Sequence, residues 1–306
     1  MGLATVAVFK KISGKNSKLK QMSDEQLKRL QKVLLGMMGD FDKVCKEHKI
    51  NYMLGGGSCL GAVRHGGFIP WDDDMDLNMS RRDYEKLRKV FKDELGEKYW
   101  LQTPEDTHNY GLGFARLRKK GTIFRSREDV DSSEELGIYI DIFIIENTYN
   151  YVLMRYLHGF LSLLTGFLLS CRNFFKNREF YMELAGNDKK TRIIFRTKII
   201  IGFLMAFLSV DSWVRIWNNV NKMCKDCRSK YVTVPVGRKH FFGDMYLRKG
   251  YLEYQRIKFE NMELPVPVDV DGYMKKLYGD YMKMPEKEDQ ETHVFLELDF
   301  GDVQKT

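Results

Sequence analysis

Apolar residues Leu27, Leu30, Leu34, Met37, Phe41 and Val44 recur at helical spacing toward His48. Ser23-Asp24-Glu25-Gln26 ahead of them is a capping box, so a long amphipathic helix comes first. Residues 51–54 read as a short strand running into the breaker Gly55-Gly56-Gly57-Ser58, and residues 59–64 as the start of a helix. The stretch 68–79 is too short and too broken by Pro70 for a helix and is predicted as a strand. A second capped helix begins at Ser80 and carries Leu87 and Val90 to Leu95. Further strands are expected at 100–102, 112–118 and 137–145, the last rich in β-branched and aromatic residues.

From 151 to 228 the pattern changes to apolar helical segments separated by basic clusters such as Arg172, Lys176 and Arg178, then Lys189, Lys190 and Arg192. After Tyr231 strand-like and turn-like pieces return, followed by a helix over 271–278 that Gly279 stops. The predicted class is therefore α+β. It comprises a mixed core over 1–150, a helical subdomain over 151–230 and a C-terminal part, 231–306, that completes the core.

With 306 residues, 43% of them hydrophobic and 30% charged, the chain has material for one substantial core. A net charge of +8 points to anionic partners, but the basic residues are scattered and form no stripe interleaved with aromatics, so no nucleic acid partner is expected. Five cysteines, an odd number without disulfide-framework spacing, suit reduced thiols in a cytoplasm. Residues 1–20 show no apolar run of a secretion signal, which also predicts an intracellular protein. Cys224, Cys227 and His240 make at most half a zinc site, because no second pair follows at finger spacing. The nearly uncharged stretches 156–171 and 199–210 fall short of the roughly 18–20 residues that span a bilayer. With basic flanks they fit either helices lying on an anionic membrane surface, at its cytoplasmic face, or a buried helical pair.

The candidate chemistry lies in Trp71-Asp72-Asp73-Asp74-Met75-Asp76. In an extended chain Asp72, Asp74 and Asp76 share one face, where three like charges call for a cation, and oxygen ligands favour Mg²⁺ or Mn²⁺. Apolar neighbours on both sides argue against a solvated acidic turn. Asp141, set among Ile138, Ile140, Ile142 and Phe143, needs a partner: a metal or an arginine. Arg116 and Arg118 alternate on a predicted strand, where both can face phosphate oxygens or lie on a plain surface strand. The order glycine-serine turn, Asp-x-Asp, later strand Asp is the layout of nucleotidyltransferases. There two acids hold metal on nucleotide phosphates and a third helps activate the attacking hydroxyl.

The run from Leu54-Gly55-Gly56-Gly57-Ser58 through Arg64-His65-Gly66-Gly67-Phe68-Ile69-Pro70-Trp71 to Asp76 resembles the signature of the LicD family, which includes fukutin-related domains. Tyr139-Ile140-Asp141-Ile142-Phe143 and Leu277-Tyr278-Gly279-Asp280-Tyr281 with Pro285 extend the likeness over roughly 25–150 and 240–293. One departure is Gly57-Ser58 where the family usually has Thr. The resemblance implies a nucleotidyltransferase-like fold and transfer of phosphocholine, or a related phospho-alcohol, from a CDP-activated donor such as CDP-choline. The implied acceptor is a sugar of a cell-surface glycan, a lipid-linked glycan or a teichoic acid. It further implies Asp74, Asp76 and Asp141 as metal ligands and catalytic acids with Asp72 nearby. Gly56, Gly57 and Ser58 become donor contacts, joined by Arg64, His65 and Arg116 as candidates. Two other readings are carried beside it: a nucleotidyltransferase with a different donor, and a non-catalytic glycan-binding protein.

Overall fold

The structure is a computed structural model that describes residues 20–126, 129, 136–286, 290 and 294–301. The expectation of no secretion signal concerns a segment of which only Lys20 is described.

Helix α1, Asp24–Glu47, starts on the expected capping box: the Ser23 hydroxyl accepts from the Gln26 N–H, and the Gln26 side chain accepts from the Ser23 N–H. Its apolar stripe from Leu30 to Cys45 is buried. Strand β1, Met53–Leu54, leads into α2, Gly56–His65, and β2, Asp76–Ser80, leads into α3, Arg81–Glu94, with Ser80 as N-cap. Strands β3, Tyr99–Gln102, β4, Ala115–Lys119, β5, Ile123–Arg125, and β6, Tyr139–Asn147, follow. Four helices come next: α4, Val152–Lys176, α5, Arg178–Ala185, α6, Lys189–Leu204, and α7, Val210–Asn221. The chain then returns through β7, Tyr231–Thr233, and β8, Met245–Leu247. The hairpin of β9, Tyr254–Phe259, and β10, Met262–Pro267, precedes α8, Val270–Tyr278, and β11, Glu297–Asp299, pairs with β5.

The main sheet runs β1-β2-β6-β4-β3, with β7 on the far end of β6 and β8 on β7. Only β2 and β6 are parallel within it; the other pairs are antiparallel. This is the mixed, helix-flanked sheet of an α+β fold, consistent with a nucleotidyltransferase-like architecture. One large core joins α1 and the sheet to β7 through α8, whereas the helical segment packs around two smaller clusters, one at Phe174, Tyr181 and Phe195, the other at Trp213 and Trp217. All five cysteines are unpaired, four of them buried.

Three details depart from the sequence reading. Helix α2 begins at Gly56, ahead of the expected residue 59, because the glycine turn itself is the first helical turn. The strand predicted over 68–79 is regular only from Asp76, since a turn at Pro70 and Trp71 interrupts it. The stretch 156–171 lies inside α4, whose 25 residues are long and apolar enough, by length and composition alone, to cross a membrane. The helix is longer than that stretch because it runs past Arg155 and Arg172 near its ends.

Candidate active site

Sheet register gathers the chemistry into one row. Asp76 on β2 lies beside Asp141 on β6, Asp141 faces Arg116 on β4, and Arg116 faces Gln102 on β3. Paired positions on neighbouring strands project to the same side, so two carboxylates, a guanidinium and an amide form a line across the sheet. Arg116 Nε donates to Asp141 Oδ1 at 2.9 Å, its Nη1 approaches Asp129 Oδ2 at 3.5 Å, and its guanidinium lies 4.0 Å from the Tyr139 ring centre. Burial by itself would lower the affinity of this guanidinium for its proton, but Asp141 leads the neighbours that hold the pKa well above the ordinary value. It therefore stays charged and fixes the Asp141 carboxylate in place.

Of the two partners open to Asp141 in the sequence, the arginine is present. Arg116 and Arg118 do not lie on a plain surface strand: they are only 3% and 1% exposed. Arg118 donates to Gln102, to Asp129 and to the Gly137 carbonyl.

The glycine turn closes on this row. The Gly55 N–H donates to the Asp76 carbonyl at 2.8 Å, and the buried Ser58 hydroxyl accepts from the Asp76 N–H at 2.8 Å. Ser58, expected at donor phosphate, thus anchors the backbone of Asp76. The Gly56 N–H donates to Tyr273 Oη at 3.0 Å, and that oxygen also accepts from Asn78 Nδ2 at 3.1 Å. Gly56 has φ +37, and a Cβ there would sit 2.9 Å from Asp76 Oδ2; at Gly57 it would sit 2.9 Å from Asp72 Oδ2. The missing side chains thus let two carboxylates reach the first turn of α2, where the helix dipole favours negative charge. Gly56→Ala is expected to cost about 1–2 kcal/mol, from the positive φ. By displacing Asp76 it should also slow the reaction by up to about a hundredfold. Thermal denaturation and initial rates check this, and an unchanged rate would remove Gly56 from the site.

Residues 72–75 are not strand, yet burial still alternates there: Asp73 and Met75 are buried, while Asp72, Asp74 and Asp76 are partly exposed. The Met75 carbonyl accepts from the Asp141 N–H at 2.9 Å, which carries the ladder one residue past β2. Upstream, Gln31 Nε2 donates to the Asp72 carbonyl at 2.8 Å, and Glu260 Oε1 accepts from the Phe68 N–H at 3.0 Å. Arg64 is turned to the C-terminal segment, donating to the Tyr281 carbonyl at 3.0 Å, with exposed His65 on its Nε. Burial lowers the pKa of His65, and the Arg64 charge lowers it further.

Sequence reasoning gave no role to Asn78, Tyr273 or Arg238. Tyr278 stands within the C-terminal block that carried the resemblance. Burial, then Tyr273, pushes its phenol well above the ordinary pKa, and Asp76 and Asp72 add to this, so it remains a protonated group facing the acids. The Arg238 guanidinium lies 5.4 Å from its ring centre.

Among the described residues no three His, Cys, Asp or Glu side chains gather as a ready metal cage. Adjacent Asp76 and Asp141 nevertheless fit Mg²⁺ or Mn²⁺, because Mg²⁺ is commonly held by one or two carboxylates together with substrate phosphates.

Residues 49–158 match the model of the LicD/FKTN/FKRP nucleotidyltransferase domain. The chain is 28% identical over 288 residues to the lipopolysaccharide cholinephosphotransferase LicD of Haemophilus influenzae, covering 87% of this chain and 95% of that protein. It is 45% identical over 47 residues to the human ribitol 5-phosphate transferase FKRP, covering 15% of this chain and 10% of that protein. A Rickettsia prowazekii protein, RP689, is 35% identical over 75 residues, 22% of this chain and 28% of its own length. The resemblance read in the sequence is borne out by the match of residues 49–158 to the LicD-type nucleotidyltransferase domain and by the similarity to LicD over most of the chain.

Proposed function

We propose that this LicD-type transferase moves phosphocholine, or a related phospho-alcohol, from a CDP-activated donor to a sugar hydroxyl of a cell-surface glycan or teichoic acid. The observation that carries the reading is the Asp76–Asp141–Arg116 row beside the glycine-opened first turn of α2. Its extent of similarity to a cholinephosphotransferase favours choline over other alcohols. The short match to a ribitol 5-phosphate transferase keeps ribitol as the second choice.

In this reaction the acceptor oxygen forms a bond to the phosphorus of the phospho-alcohol, the bond to the bridging oxygen breaks, and CMP leaves with that oxygen. Asp76 and Asp141, with Asp74 as the further ligand that the resemblance implies, would hold Mg²⁺ or Mn²⁺, which when bound neutralises charge on the phosphates. Asp141, oriented by Arg116, takes the proton of the acceptor hydroxyl. The first-turn N–H groups of α2 favour a donor phosphate, and Asp72 and Tyr278 border that end of the site.

Thermal-shift measurements with Mg²⁺ and CDP-choline, CDP-ethanolamine, CDP-glycerol, CDP-ribitol, ATP and UTP test the donor. The true donor at about a hundred times its Kd should stabilise the protein by about 2.7 kcal/mol. Stabilisation by ATP or UTP with none from any CDP-alcohol would favour a nucleotidyltransferase with a different donor.

For the acceptor side we place the protein in the cytoplasm, peripheral on the inner face of the membrane. Leu153, Tyr156 and Phe160 of α4 and Ile200 and Phe203 of α6 are 59% to 67% exposed. The protein should sediment with anionic vesicles, less with neutral ones, and less at high salt because screening weakens the lysine and arginine contribution. Equal recovery in the supernatant with and without anionic vesicles would remove the membrane from the reading.

A further inference from the structure

One hydroxyl beside the row of charged groups has no protein partner. Tyr110 Oη is buried and, among the described residues, makes no hydrogen bond. An unpaired buried hydroxyl costs a native fold free energy and calls for a reason. Burial pushes this phenol above its ordinary pKa, so it stays protonated; of the charged groups around it, Arg116 acts most strongly and pulls the pKa down, followed by Asp141, which pushes it up. Arg118 and Asp129 complete the charged surroundings.

The backbone is pinned on both sides of Tyr110 by the helical segment. The Asn109 N–H donates to Asp211 Oδ1 of α7 at 2.7 Å, and Lys176 Nζ of α4 donates to the Asn109 carbonyl at 3.3 Å. Asn173 Nδ2 of α4 donates to the Gly111 carbonyl at 2.7 Å, at a glycine with φ +70 whose Cβ would sit 2.7 Å from Asn173 Oδ1. A Cβ at Gly113 would run into the Trp217 ring of α7. A phenol held on so fixed a backbone loses little further freedom when it meets a substrate. Tyr110 also lines a cavity of about 690 Å³ between residues 109–114 and the helices α4, α6 and α7. Phe114, on the same wall, stacks on Phe143 at 4.8 Å and lies 5.5 Å from the Arg116 guanidinium. The segment that carries Tyr110 therefore continues directly into the row.

We propose that the Tyr110 hydroxyl donates a hydrogen bond to a nonbridging oxygen of the phosphate that is transferred, beside the Asp76–Asp141–Arg116 row. The assignment rests on the reading of that row as a phosphoryl-transfer site, and not on which alcohol or nucleotide the donor carries. A phenol that keeps its proton is a donor and no base, which leaves the acceptor proton to Asp141. An anionic oxygen is the partner from which such a donor gains most. Burial keeps water from competing for the hydroxyl, the condition under which a preorganised donor stabilises developing charge best.

The test is Tyr110→Phe in the full chain. Its melting temperature should hold or rise, because the unpaired hydroxyl goes while the ring stays. Calorimetry uses Mg²⁺ and inorganic pyrophosphate, a probe that carries the linked phosphates common to CDP-alcohols and nucleoside triphosphates. The variant should bind it about tenfold more weakly than the unaltered chain. With whichever donor the thermal-shift panel identifies, kcat should fall at least about tenfold while the acceptor KM stays unchanged. Equal pyrophosphate affinity in the two proteins overturns the proposal. So does weakened binding that comes with a lowered melting temperature, since the hydroxyl then serves the fold. A raised acceptor KM with unchanged kcat overturns phosphate as its partner. If the unaltered chain itself does not bind pyrophosphate with Mg²⁺, the phosphoryl-transfer reading of the row falls and the proposal with it, whereas equal binding by both proteins removes Tyr110 alone.

Discussion

Asp76→Asn is expected to lower the transfer rate by at least about a hundredfold, the scale of losing one preorganised charge-stabilising group at a reacting phosphate. Its melting temperature should hold or rise. The carboxylate stands next to Asp141 and beyond a glycine that leaves it room, with the Asp72 carboxylate against the next glycine, so removing one charge relieves repulsion. The backbone bonds that place residue 76, from Ser58 and to Gly55, do not involve the altered side chain. Asp74→Asn should behave in the same direction. Initial rates at several Mg²⁺ concentrations, with thermal denaturation alongside, measure both effects. Full turnover by Asp76→Asn at ordinary Mg²⁺ would take this acid out of the mechanism.

For Asp141→Asn the expectation differs, since its carboxylate is paired with a guanidinium that is almost wholly buried. Breaking a buried pair leaves the remaining charge uncompensated; here an asparagine oxygen still accepts from Nε, and Asp129 stays at 3.5 Å. A loss of about 2–3 kcal/mol follows, below the usual cost of breaking such a pair. The variant should still bind the CDP-linked donor with Mg²⁺, several-fold more weakly, while losing most of its rate, the pattern of an interaction made in the transition state. A double-mutant cycle separates the two roles. Adding Arg116→Met to Asp141→Asn removes the orphaned charge and should restore part of the stability with no return of activity. If rate recovers together with melting temperature, Asp141 is a structural partner of Arg116, and the catalytic acids reduce to Asp74 and Asp76 with Asp72.

The sequence determined by itself the features that depend on near neighbours along the chain. Capping at Ser23 and Ser80, the helical stripe from Leu30 to Cys45 and the alternating burial from Asp72 to Leu77 all follow from local periodicity and side-chain chemistry. So did the acids as candidates, because charged groups set among Ile, Trp and Met need a reason to be there. Only the tertiary structure decided which of these groups meet. The Asp76–Asp141–Arg116 row exists because β2 pairs parallel and β4 antiparallel with β6, a register set by burying both neighbours' apolar residues together. Tyr273 and Tyr278 reach the glycine turn from more than two hundred residues away, by the packing of α8 against the core. The helical segment shows the same division: its composition gave apolar helices with basic flanks, but which faces stay exposed and what cavity they enclose depends on how α4, α6 and α7 pack against one another and against residues 109–114. Local propensity acts over a few bonds, whereas pairing and burial are properties of surfaces that exist only once distant segments have closed on each other.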